Sequence, residues 1–217
     1  MDNPSENYWK IRLNDCREAL IDNNFEADVV ESVQAAKKLF MDEILPAMAS
    51  KSVSWGGSMT LGATEILKDL ARVPDLELIN PSEKGLSDQD KYERRRQGLL
   101  ADLFLTGTNA VTETGELVNL DMIGNRVGGL TFGPRRVVVL AGRNKIVPDV
   151  EEAMLRIKNY AAPVNAMRLD KKTPCVKGSR CQNCSSAERI CNIWTIIEKS
   201  FPKGRIRVVL INQDLGL

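Results

Sequence analysis

Apolar residues recur at helical spacing over residues 5–23, where Trp9, Leu13, Cys16, Ala19 and Leu20 share one stripe. A second stripe, from Val29 and Val30 through Val33, Ala36, Leu39, Phe40 and Ile44, predicts another helix over 26–49. Beyond residue 50 the pattern shortens. Compact apolar runs predict strands at 51–55, 76–80, 101–107, 135–142 and 204–214, and the continuous VVVLA of 137–141 suits a strand buried on both faces. Between them, amphipathic stretches predict helices at 58–71, 87–101, 147–162 and 192–201. Asp149 stands as N-cap of the third of these, with Glu151 and Glu152 in its first turn. Residues 110–120 alternate around Thr114-Gly115 and predict a hairpin.

Strands that alternate with helices predict an α/β fold, a mainly parallel sheet with helices on both faces. The division expected is a pair of N-terminal helices (1–50) packing on a main domain (51–217), with an insertion at about 163–191 ahead of the final strand. The 217 residues are 43% apolar, enough for one ordinary core. Charged residues make up 27%, and the net charge of +1 argues against nucleic acid as a partner. The basic run Arg94-Arg95-Arg96 sits beside acids and reads as a solvated helix face. No apolar run approaches the length of a membrane span, and the polar N-terminus is unlike a signal peptide, so the cytoplasm is the expected location.

In an open α/β sheet ligands bind beyond the carboxyl ends of the strands. The first of these ends carries Gly56, Gly57, Ser58 and Thr60, two glycines for close approach followed by hydroxyls at a helix start, a pattern that suits an anion and also suits a plain tight turn. The third leads into a long polar, glycine-rich stretch with Gly107, Asn109, Thr112, Glu113, Asn119, Asp121, Asn125 and Arg126. The strand at 135–142 delivers Asn144 and Lys145, and the last one Asn212 and Asp214. Together they predict a pocket for a small anionic metabolite or a phosphate-bearing cofactor. The chain has no histidine, so acid–base work at neutral pH would fall to Glu113, Asp121, Asp214 or Lys145, with burial shifting their pKa values.

The stretches SWGGSMTL, GTNAVTETGELVNLDMIGNRV and AGRNKIVPDVEEAMLRI closely resemble the LUD-domain family of bacterial lactate-utilization proteins, a likeness that runs from about residue 10 to the C-terminus. The resemblance implies a fold similar to ribose-phosphate isomerases and CoA transferases, and a role in lactate or small-carboxylate utilization beside separate iron–sulfur oxidoreductase subunits. The isomerases of that fold hold substrate phosphate on a loop matching Gly56–Thr60. Their acid–base aspartate is replaced here by Asn109, so that step is not implied. Glu113 is the nearest match to the glutamate nucleophile of the CoA transferases, in surroundings that differ from their motif.

Four of the five cysteines fall within one stretch, Cys175, Cys181, Cys184 and Cys191. A C-x2-C pair flanked by two further cysteines can supply a four-sulfur ligand set. A structural zinc is favoured over an iron–sulfur cluster, whose ligands commonly run more tightly, while free thiols or an oxidised pair remain as alternatives. Cys16 lies on the first apolar stripe and reads as core. Three functions follow: an enzyme or enzyme subunit of small-carboxylate metabolism, a non-catalytic accessory protein, and an iron–sulfur electron-transfer component. The N-terminal helices could pack on the domain or against a second copy of the chain.

Overall fold

The computed structural model describes residues 3–217. Helix α1 (Pro4–Asp22) begins where Asn3 accepts a hydrogen bond from the Glu6 amide, and it buries the predicted stripe of Leu13, Cys16 and Leu20. The chain then differs from the expected second helix, since Glu26–Val30 form strand β1, followed by α2 (Val33–Leu39), a π-helical turn (Phe40–Ile44) and α3 (Leu45–Met48). The helical spacing of Val29, Val30 and Val33 was misleading because the partner that makes 26–30 a strand lies about 180 residues away. There β10 (Ile206–Ile211) pairs with β1 in parallel, and Arg207 donates to both oxygens of Asp28 at 2.6 and 2.9 Å. β-Branched valines suit that edge position once the partner exists.

The remaining elements are β2 (Ser52–Trp55), α4 (Met59–Thr64), α5 (Ile66–Leu70), β3 (Glu77–Ile79), α6 (Asp88–Gln97), β4 (Leu103–Gly107), β5 (Ala110–Thr112), β6 (Leu117–Asp121), α7 (Asn125–Thr131), β7 (Arg136–Gly142), β8 (Ile146–Val147), α8 (Val150–Arg156), α9 (Ala162–Arg168), α10 (Pro174–Gly178) and β9 (Ile193–Ile197). Glu65, at φ 57°, divides the single helix expected at 58–71 into α4 and α5. Residues 192–201 are a second correction, for β9 is a strand. Its isoleucines mimic helical spacing, but they pair antiparallel with β6, Leu117 opposite Ile197 and Asp121 opposite Ile193.

Six strands form one parallel sheet in the order β1-β10-β7-β4-β2-β3. Alternate side chains of β7 serve its two faces. Val137, Val139 and Ala141 join the α1 residues Leu13, Cys16 and Leu20, while Val138 and Leu140 join Phe40, Ile44, Leu61, Ile66 and Leu70 on the other side. The fold class is therefore the expected one, a parallel sheet flanked by helices. A smaller sheet, β8-β5-β6-β9, holds the predicted hairpin, turning at Gly115 with φ +87°. Strand β3 lies on one side of β2 and β4 on the other, so the chain reverses its direction of travel across the sheet at β2. A crevice opens at such a reversal, at the carboxyl ends of the strands. No helix among the described residues is long and apolar enough to cross a membrane.

Candidate functional site

The crevice is a cavity of about 710 Å³, of a size that accommodates a small ligand. Gly57 and Ser58 line it after β2, and Gly107 at the end of β4 and Asn109 just beyond it. Asp121, Asn125, Arg126 and Lys145 complete the predicted residues on its wall. Two glycines are required by close approach. A Cβ on Gly107 would stand 2.4 Å from Ser58 Oγ, and one on Gly56 would stand 2.9 Å from Arg126 Cγ. Ser58 Oγ is itself engaged, accepting the Leu61 amide at 3.1 Å as N-cap of α4.

Arg126 is the strut of the long polar loop. Its guanidinium donates to the side-chain oxygens of Asn109 and Asn119 and to Leu120 O at 3.0 Å. The two asparagines are interlocked, since the Asn109 amide donates to Asn119 Oδ1 and the Leu120 amide to Asn109 Oδ1. Asn119 Nδ2 is buried without a partner. Asp121 accepts from the amides of Met122, Arg126 and Val127, so its carboxylate caps the start of α7. It lies 4.0 Å from Arg126 Nε. Burial draws the Arg126 pKa down, and Asp121 partly restores it.

Lys145 occupies the short 3-10 turn after β7 and is 4% exposed. Its Nζ donates to Thr60 Oγ1 at 3.0 Å and to Thr108 O at 2.9 Å. Neither acceptor carries a charge, and no ion pair among the described residues includes this lysine. Burial, then Arg156, then Arg126 push its pKa down to about 7. At neutral pH the amine is therefore divided between its charged and neutral forms, which suits proton exchange or the reception of an anion.

Other predicted residues lie off the cavity. Glu113 is paired with Arg12 at 2.8 Å, half-exposed at the hairpin tip. Thr112 bonds with Glu116 and Thr114 and closes that hairpin. Asn144 accepts the Leu215 amide at 3.0 Å, and Thr60 donates to Leu215 O at 3.2 Å, so both residues hold the C-terminal segment against the site. Gly216, at φ +67°, passes so close that a Cβ there would lie 2.8 Å from Thr60 Oγ1. The sequence reading missed Arg156, whose Nη1 and Nε donate to Asn109 O at 2.9 Å and Asn144 O at 3.1 Å, tying two strand-end loops together. It also missed Arg95, Arg168 and Lys171 on the wall. No motif marks these last three, because only the docking of α6 and of α9 with the residues that follow it turns them inward.

The four clustered cysteines line a separate small cavity of about 20 Å³ with Thr173, Ala166 and Ile190. All are free thiols. Among the described residues no three cysteine, aspartate or glutamate side chains are gathered as a metal-ligand set, so the expected four-sulfur site is not preformed. Cys16 is core, as predicted, and burial and the nearby Glu113 carboxylate, partly offset by Arg12, push its thiol up to about 12.

A parallel α/β sheet flanked by helices, with a polar, cation-rich crevice at its reversal point, is a fold of the Rossmann-like kind. The chain belongs to the LUD-domain family, whose model matches residues 13–211. That membership connects it in general terms with lactate utilization. It is also similar to a DUF162 family protein from Deinococcus radiodurans of known crystal structure, with 17% identity, coverage of 94% of this chain and 98% of that one, and a TM-score of 0.49. No curated protein matches the chain in sequence.

Proposed function

We propose that the strand-end cavity binds a small carboxylate, such as a 2-hydroxy or 2-oxo acid, or a ligand presenting phosphate. The observation that carries this reading is Lys145, a buried amine on the cavity wall with only uncharged acceptors and two arginines as its charged neighbours. Burying a cation without a counter-charge is unfavourable, and an anionic ligand supplies the missing charge. Gly57, Gly107 and Asn125 give the ligand room and polar contacts on the same wall. Of the acid–base candidates, Lys145 is the one suited to exchange a proton at neutral pH, because Asp121 is occupied as a helix cap, Glu113 is paired to Arg12 and Asp214 to Arg143. On this reading the electron acceptor for any oxidation would lie in separate iron–sulfur subunits, as the family resemblance implies.

Calorimetric titration with lactate, pyruvate and inorganic phosphate tests this. An anion beside Lys145 stabilises its charged form, so binding near pH 8 should take up protons, and affinity should fall as pH rises above about 7. Lys145→Met should weaken binding at least about tenfold, the effect expected of one lost charged contact. Failure of all three anions to bind, or an affinity independent of pH and of Lys145, would overturn the reading.

A further inference from the structure

The cysteine segment is the largest concentration of reactive side chains outside the anion cavity. Cys175, Cys181, Cys184 and Cys191 come from both ends and the middle of the loop between α9 and β9, yet all four line one small cavity. Its volume of about 20 Å³ is that of a single water-sized body. The Cys181–Cys184 turn already resembles a metal knuckle, with Asn183 at φ 46° and its amide donating to Cys181 Sγ at 3.4 Å.

The loop is also short of folding energy. From residue 167 to 192 only Thr173 and Ile190 are buried. Polar braces hold the backbone instead: Arg189 donates to Cys184 O at 2.6 Å and Cys191 O at 3.1 Å, and Ser186 Oγ donates to Lys172 O at 2.9 Å. A bound metal supplies what so thin a core lacks, because its binding free energy becomes folding free energy. Ile190 faces both cavities, and Asn165, Arg168 and Lys171 of the same segment line the larger one.

We infer that Cys175, Cys181, Cys184 and Cys191 bind one zinc ion, which draws the four thiols onto their shared cavity and fixes this wall of the anion site. Each thiol releases its proton to water as the zinc–sulfur bond forms, and no oxidant is involved. The single C-x2-C pair with its two wider-spaced partners suits one ion better than an iron–sulfur cluster, whose ligands commonly run more tightly, and the all-sulfur set selects zinc over harder cations.

The test is elemental analysis of the full chain, purified without oxygen and equilibrated with zinc chloride. One zinc per chain is expected, with the four loop thiols protected from a thiol reagent and the deeply buried Cys16 unaffected by the metal. Amide exchange over 162–191 should slow when zinc is added. Cys184→Ser should lower zinc affinity more than about 100-fold, beyond what loss of an outer-shell contact produces. If that variant fails to fold, protection and exchange in the unmodified protein still decide. Protein that holds no zinc and has equally reactive loop thiols with and without the metal overturns the proposal. So does brown protein containing iron and sulfide. Anion binding is read separately, so either conclusion can fail alone.

Discussion

Lys145 shows how one residue can oppose the fold that houses it. The unfolded chain keeps the lysine proton up to its ordinary value of 10.5, whereas the folded chain releases it from about 7. Between those values the unfolded state binds the extra proton, so the stability contributed at this site rises with pH, and its penalty is complete below 7. Lys145→Met removes the penalty and loses two hydrogen bonds, each worth about 1 kcal/mol. The variant should therefore be more stable than the natural chain near about pH 6, with the gain shrinking toward about pH 9. Urea unfolding at both pH values measures it, and a gain that grows with pH would contradict the assigned burial. The sequence named this lysine as a candidate from its place after a strand. It could not show that the amine is buried, since Thr60, Thr108, Arg126 and Arg156 reach it from four other parts of the chain.

Among the elements, β2 and β4 meet the site through paired glycine and serine positions. Gly107→Ala places a methyl group on Ser58 Oγ and 3.3 Å from Leu140 O, and Ser58 cannot yield without giving up its cap on α4. The expected loss is about 1–3 kcal/mol, and Ser58→Ala alone should cost about 1 kcal/mol. Because removing Oγ relieves the contact, the double variant should be more stable than the sum of the two losses predicts. Thermal unfolding of the four proteins in the cycle reads this coupling, and strict additivity would mean that the two residues do not meet. The same scale explains the two strands mistaken for helices. Strands β1 and β9 have apolar spacings that fit either period, and the choice was made by partners, Arg207 for Asp28 and β6 for Ile193–Ile197. The central strands needed no such help, because an uninterrupted β-branched run such as Val137–Val139 suits burial on both faces in any arrangement.

For the whole molecule, the position of β1 has a consequence for cooperativity. Residues before 51 contribute the edge strand of the main sheet and, through Leu13, Cys16, Leu20, Phe40 and Ile44, side chains on both of its faces. The segments 1–50 and 51–217 should therefore unfold in one transition. Trp9 fluorescence, followed in a Trp55→Phe/Trp194→Phe background, should coincide with the far-ultraviolet dichroism of the sheet; an earlier Trp9 transition would mark a separable N-terminal unit.

What the sequence determined by itself was the class of architecture, the central strands, the hairpin, and the strand-end loops from which the cavity is built. These follow from local periodicity and turn chemistry, which are written in consecutive residues. Only the tertiary structure decided which polar residues face the cavity. It set Lys145, Asn109 and Arg126 on the wall and sent Glu113, Thr112 and Asn144 to contacts with α1, the hairpin and the C-terminal segment. It also brought Arg156 and the segment after α9 to the same place, although they are distant in sequence. The physical reason is that a side chain's charge and burial depend on neighbours from several strands at once, and no stretch of consecutive residues contains them.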